Sequence, residues 1–207
     1  IASPARSAAS GAGAVLLCRE TILGRDRRVV GYHFRLQAQR PPGNMDRRAA
    51  HAWAQMLVDR LAALDLTQIL GNRMAFIDVP DSFLASSALR ALPAANLVIM
   101  PVALPHAGAP DAEDLRNALE ALQKEGYRVA LPDPVTAPQI APSIALADVV
   151  VVRAPALDVG RGLQLSSTIA QAAPRARLLV RELPSLEEFR FSYKLGAALF
   201  QGPFITS

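Results

Sequence analysis

A chain of 207 residues with 51% apolar residues can bury a sizeable core, which excludes global disorder and leaves room for one large α/β domain or two small ones. The formal net charge of +4, carried mostly on arginine, does not demand nucleic acid, and aromatics at 5% do not interleave with the arginines as single-strand stacking would need. No apolar run approaches the roughly 20 residues of a membrane helix. The single cysteine, Cys18, excludes an intrachain disulfide and a cysteine-based zinc site, and fits a reducing, cytoplasmic setting.

Residues 1–13 are almost all Ala, Ser, Gly and Pro, without the order of a signal peptide, and read as a flexible tail. Because the chain opens on Ile1 rather than Met, it reads as a piece of a longer protein. Residues 14–22 and 28–37 are expected as strands of a hairpin, turning at Gly24-Arg25-Asp26-Arg27. Cys18 lies in the first and reads as a small buried hydrophobe. The cluster Arg25-Asp26-Arg27-Arg28 contains its own acid and reads as a solvated hairpin tip. Pro41-Pro42-Gly43 breaks the chain. Ala50, Trp53, Ala54, Leu57, Leu61 and Leu64 then recur on one helical face.

Residues 74–80 form a short strand, after which Asp81 is expected to cap a helix ending before Pro93. Leu97-Val98-Ile99-Met100 is the next strand. Asp111 caps an amphipathic helix with Leu115, Ala118, Leu119 and Leu122 inward, ended by Gly126. A strand over 127–131 stops at Pro132-Asp133-Pro134. Residues 135–146, with Pro138 and Pro142, have room only for a short irregular helix. Val149-Val150-Val151-Val152 reads as a strand buried on both faces. A helix near 161–172, a strand at 178–180, a helix opened by the capping box Ser185-Leu186-Glu187-Glu188 and a strand at 198–201 complete the order. The helix from 186 is expected to bury Leu186, Phe189 and Tyr193.

Eight strands that mostly alternate with helices point to parallel pairing in a closed barrel, with one strand of the opening hairpin running against the rest. Only Gly202 to Ser207 follow the last strand, so an eighth helix is absent or truncated and the native protein is expected to continue. The domain is bounded at 14–207. Chemistry on such a fold sits at the carboxyl ends of parallel strands.

The runs Val29-Val30-Gly31-Tyr32-His33-Phe34-Arg35-Leu36, Ala75-Phe76-Ile77-Asp78-Val79-Pro80 and Gly126-Tyr127-Arg128-Val129-Ala130-Leu131 resemble the EAL domain. Residues 147–152 and 195–204 continue the likeness, which spans about 14–205 and looks closest to the branch in which a short EAL domain precedes an HDOD domain. Active members are cyclic-di-GMP phosphodiesterases on a modified (β/α)8 barrel, using two divalent metal ions. The resemblance places the signature glutamate at His33 and the arginine that helps hold the dinucleotide at Gln37. A metal-binding asparagine falls at Asp78, the next strand's glutamate at Met100, and the paired aspartates at Pro132 and Asp133. The catalytic lysine falls at Val151, the acid two residues on at Arg153, and a further glutamate at Arg181. The glutamine near the end is kept as Gln201, and a loop glycine is replaced by Val135.

Hard cations take oxygen ligands, and two of them activate water and neutralise a phosphodiester. Most of those ligands are gone here, and two have become arginines, which repel metal ions by several kcal/mol at an effective dielectric near 20. The resemblance therefore implies a degenerate EAL domain with a vestigial pocket, no catalytic residues and no cofactor. It is expected to signal through protein contacts with a partner or a following domain, HDOD among the candidates; homo-oligomerisation is open. A cyclic-di-GMP receptor without hydrolysis is the alternative, and a residual phosphodiesterase the third reading. His33 reads as a strand residue rather than a ligand, His51 and His106 as structural or solvated, and Met100 as rim packing. Arg153 and Arg181 either pair with Asp133, Asp78 or Glu182, which is preferred, or converge on one anion.

Overall fold

The β-branched run at 149–152 sets the pattern for the whole wall. In a computed structural model that describes residues 14–38, 45–104 and 110–206, all four valines are buried, and they divide by parity. Val149 and Val151 join an inner cluster with Ile22, Met74, Phe76, Val98, Met100, Ala130, Leu179 and Leu199. Val150 and Val152 join an outer one with Phe34, Ile77, Ile99, Leu131, Val180 and Phe200, which also contains the helix residues Leu57, Leu61, Leu119, Leu122, Leu165 and Phe189. Alternation along a strand sends successive side chains to opposite faces. One cluster therefore fills the barrel and the other seals it against the helices. Each fully buried aliphatic side chain contributes roughly 1.5–3 kcal/mol.

The strands are β1 (Val15–Gly24), β2 (Val29–Ala38), β3 (Met74–Pro80), β4 (Leu97–Val102), β5 (Arg128–Pro132), β6 (Val149–Arg153), β7 (Arg177–Arg181) and β8 (Leu199–Gln201). They close in sequence order, with β1 antiparallel to both β2 and β8 and every other pairing parallel. The helices are α1 (Arg47–Ala62), α2 (Leu66–Leu70), α3 (Ala112–Lys124), α4 (Val159–Ala172) and α5 (Leu186–Lys194). No described helix is long and apolar enough to cross a membrane. The expected tail, the Pro41-Pro42-Gly43 break and His106 lie outside the described residues.

Caps act where their chemistry predicts. Asp46, Asp111, Asp158 and Ser185 each accept a backbone N–H from the first turn of α1, α3, α4 and α5. Gly126 follows α3 with φ 97°, a conformation in which a side chain is strained.

Several expectations are corrected. The helix assigned to Asp81 is two 3-10 turns, Asp81–Phe83 and Ser87–Ala91. Asp81 accepts from the adjacent Ser82 N–H, and Ser86 Oγ from Ala88 N–H, so side chains satisfy donors that a continuing helix would have used. Leu64 lies beyond the end of α1 and is exposed, because the chain turns there into α2, capped by Asp65. On α5, Leu186 is 47% exposed and Tyr193 37% exposed, leaving Phe189 as the inward anchor. Tyr193 lies between Phe200 and the Arg25 guanidinium, 3.6 Å from its ring centroid. The hairpin tip is exposed, as expected, and Arg25 also donates to the carbonyls of Tyr193 and Ala197, so it ties that tip to α5. Cys18 is half-buried, not buried, with Sγ 3.4 Å from Gln37 Oε1. His51 meets its structural reading, with Nε2 2.6 Å from Ser82 Oγ and its ring edge on Phe83.

The tightest backbone contact follows β8. Gly202 has φ 155°, and a Cβ placed on it would lie 2.3 Å from the Leu183 carbonyl oxygen and 2.4 Å from its nitrogen. Leu183 in turn donates its N–H to Gln201, which ties the β7–α5 loop to the end of β8. Gly202→Ala is expected to destabilise the protein by about 3 kcal/mol and lower Tm by roughly 5–10 °C, measured by thermal unfolding. An unchanged Tm would show that this loop does not hold β8.

Candidate functional site

The carboxyl ends of the parallel strands converge on one rim, and inward-pointing residues there form a single polar chain. Arg35 Nε donates to Glu20 Oε1 at 2.7 Å, and Glu20 Oε2 accepts from Gln201 Nε2 at 2.6 Å. The same Gln201 amide nitrogen lies 3.1 Å from His33 Nδ1, and His33 Nε2 lies 3.3 Å from Asp78 Oδ2. Asp78 then accepts two bonds from Arg181, at 2.8 and 3.2 Å. An amide donating to Glu20 also donates to His33 Nδ1, which leaves the ring proton on Nε2, facing Asp78. His33 and Arg181 are 8% and 7% exposed, so the chain runs through the barrel mouth rather than over its surface.

The electrostatics follow from that order. Burial raises the Asp78 carboxyl, but the hydrogen bond from His33 and the Arg181 charge outweigh it and hold the group at about 2. Glu20 is likewise raised by burial and brought below its ordinary value by the Gln201 amide and Arg35. Within this polar network, Arg181 Nε and Gln201 Oε1 are buried without a hydrogen-bond partner among the described residues.

Of the residues named from sequence, His33, Asp78, Arg181 and Gln201 are in direct contact. Met100 and Val151 belong to the apolar filling of the barrel, with Met100 the register partner of Asp78. Gln37, near the end of β2, meets Cys18 and not the polar chain. Arg153 and Arg181 are register partners on β6 and β7, yet their guanidiniums do not converge on one anion. Arg153 pairs with Glu182 at 2.8 Å, with the side chains 71% and 50% exposed, a contact of little energetic weight. Asp133 is held by neither. Its partner is Arg161 from the first turn of α4, bonded to both carboxylate oxygens.

Three participants escaped the sequence reading, the first being Arg35, whose place two residues beyond His33 on β2 was the available signal. Glu20 stands on the alternation Cys18, Glu20, Ile22 of β1, and a lone acid in an apolar strand facing inward was the available signal. Arg161 looks like an ordinary solvent-side helix residue, three places after the Asp158 cap, and carries no local signal.

A two-metal cluster does not fit these residues. Glu20, Asp78, Asp133 and Glu182 are each already paired with an arginine, and Met100 offers no oxygen where the resemblance places a glutamate. Among the described residues, no three His, Cys, Asp or Glu side chains are grouped to hold a metal.

Comparison with solved structures places the fold. The Bacillus subtilis YkuI protein, with an EAL domain and solved in complex with substrate c-di-GMP and calcium, superposes with a TM-score of 0.71 at 16% identity, over 93% of this chain and 55% of that one. A standalone EAL protein from Vibrio cholerae O395, in its c-di-GMP-bound form, gives 0.71 at 15% identity over 92% and 90%. An EAL domain protein from Listeria monocytogenes EGD-e gives 0.70 at 13% over 92% and 86%. The chain thus spans little more than half of the YkuI protein. No family model matches it, and no curated protein matches it. The fold is that of the solved EAL domains: a closed eight-stranded barrel with one antiparallel strand.

The Asp78–Arg181 pair yields a pH-dependent prediction. Arg181→Met leaves the Asp78 carboxylate without its guanidinium and is expected to cost about 3 kcal/mol at pH 7, much of it recovered in Asp78→Asn/Arg181→Met. Because the folded Asp78 pKa, about 2, lies below its ordinary value of 3.8, its contribution is complete above that value and is lost as pH falls towards 2. That contribution is at most about 2 kcal/mol. Urea unfolding of the wild type and Asp78→Asn should therefore converge between pH 5 and pH 2, by about 2 kcal/mol at most. Parallel curves would sink this assignment.

Proposed function

We propose that this chain is a catalytically inactive EAL-like signalling domain that acts through protein contacts, with a protein partner or an adjoining domain, of HDOD type, as its counterpart. The observation that carries the reading is the internal neutralisation of the barrel mouth. Asp78 is clamped by Arg181 and His33, Asp133 by Arg161, and Glu20 by Arg35 and Gln201. An active two-metal phosphodiesterase needs its carboxylates free to hold cations that polarise the phosphoryl group and activate water. Here the same rim presents guanidiniums, and pulling Asp78 out of its pair would leave Arg181 buried and uncompensated.

The outer wall supports contact as the mode of action. Val159 and Leu163, one turn apart on α4, are 55% and 64% exposed beside the mouth-facing Arg161. An apolar pair on a helix whose first turn also closes the mouth makes that side of the barrel a reasonable contact surface.

Cyclic-di-GMP tests the reading directly. The protein is titrated by calorimetry with and without magnesium or manganese, and the mixture is assayed for linear product. No saturable heat and no product is the expected outcome. Micromolar binding without product would replace the proposal with a non-hydrolysing receptor. Metal-dependent product would replace it with an enzyme.

A further inference from the structure

The opposite end of the barrel has the reverse electrostatics. A recess of about 710 Å³ opens among the amino ends of the parallel strands, lined by Arg73, Arg128, Arg175 and Arg177 around Val29, Val30, Asn72, Met74 and Asp148. Arg128 opens β5, Arg177 opens β7, and Arg73 immediately precedes β3, so a closed sheet brings the three to one face. The one acid does not neutralise them. Asp148 Oδ2 accepts from the Val129 N–H at 2.9 Å and from Gln123 Nε2 at 3.3 Å, tying β6 to β5. Among the described residues none of the four arginines forms an ion pair, and Arg177 Nη2 reaches only the Met74 sulfur, at 3.1 Å. This recess carries a net +3 of the chain's formal +4.

The four arginines are exposed around the recess, so their guanidiniums are accessible to an anion from solvent. Burial, and then the Arg128 charge, push Arg177 below the ordinary guanidinium range, with Asp148 only partly opposing. Guanidinium forks match the oxygens of phosphate two at a time, and the volume suits a small ligand. We propose that this recess is a binding site for a small phosphate-bearing anion of the diphosphate type, separate from the mouth and independent of what the mouth does. Concavity favours a compact anion over an extended polymer: the charges line a pocket around Met74 and the starts of β2 and β3.

Titration of the protein with inorganic pyrophosphate, and separately with a nucleoside triphosphate, tests this. Saturable binding of at least one is expected, weakened about tenfold by Arg128→Gln and by Arg177→Gln. Arg48→Gln, an exposed arginine in the first turn of α1, should leave it unchanged. Preference for the triphosphate would assign a nucleotide, and equal or better binding of pyrophosphate a free diphosphate. Phenylglyoxal footprinting needs no variant: pyrophosphate should slow modification of Arg128 and Arg177 but not of Arg48. Absence of saturable binding, binding indifferent to both substitutions, or tighter binding of an oligonucleotide or polyglutamate than of pyrophosphate would overturn the proposal. Because these arginines lie far from Asp78 in strand register, failure here and failure of the cyclic-di-GMP reading are separately visible.

Discussion

Closure of the sheet through β1 is the constraint on which the rest depends. By running antiparallel to both neighbours, β1 sets Ile22 opposite Gln201 and Glu20 opposite His33. That register is what lets one glutamate touch the first and last of the polar strand ends, and what lets the amide of Gln201 bridge Glu20 to His33. Slip β1 by one residue and Glu20 would face the helices while an apolar neighbour faced the mouth. The chain of bonds from Arg35 to Arg181 is thus a product of topology: its members come from β1, β2, β3, β7 and β8.

The barrel separates charge along its axis. At the carboxyl ends Glu20, Asp78, Asp133 and Glu182 each pair with an arginine; the Asp78–Arg181 and Asp133–Arg161 pairs are strengthened by a partly desolvated mouth, while Arg153–Glu182 is exposed and weak. At the amino ends the arginines outnumber acids, and the one carboxylate is engaged by backbone and amide donors. On barrels of this kind the carboxyl face hosts chemistry and the amino face stability. In this protein the carboxyl face pairs its acids with arginines, and the amino face leaves four arginines without an ion pair among the described residues.

The elements legible in the sequence were those with strong local signals. The valine run at 149–152, the caps at Asp111 and Ser185 and the glycine at 126 each have one physical explanation, and the structure keeps them. Failures came where a local signal had two outcomes. Asp81 can cap a helix or bond its own neighbour, and it does the latter. Tyr193 has the spacing of a core residue but packs at the edge, because Arg25 arrives from a hairpin 168 residues away. The low identity to the solved EAL domains fits the same picture: a wall of alternating apolar residues tolerates exchange among Val, Ile, Leu and Met.

By itself the sequence determined the eight-fold order of strands and the apolar parity that makes a barrel wall. Those are properties of residue type and spacing, which need no coordinates. Only the tertiary structure decided the pairings: Asp78 with Arg181 and His33, Asp133 with Arg161, and four arginines left facing one another at the far end. An ion pair depends on a distance of a few ångströms between residues about 30 to 100 positions apart, and that distance exists only once the barrel has closed.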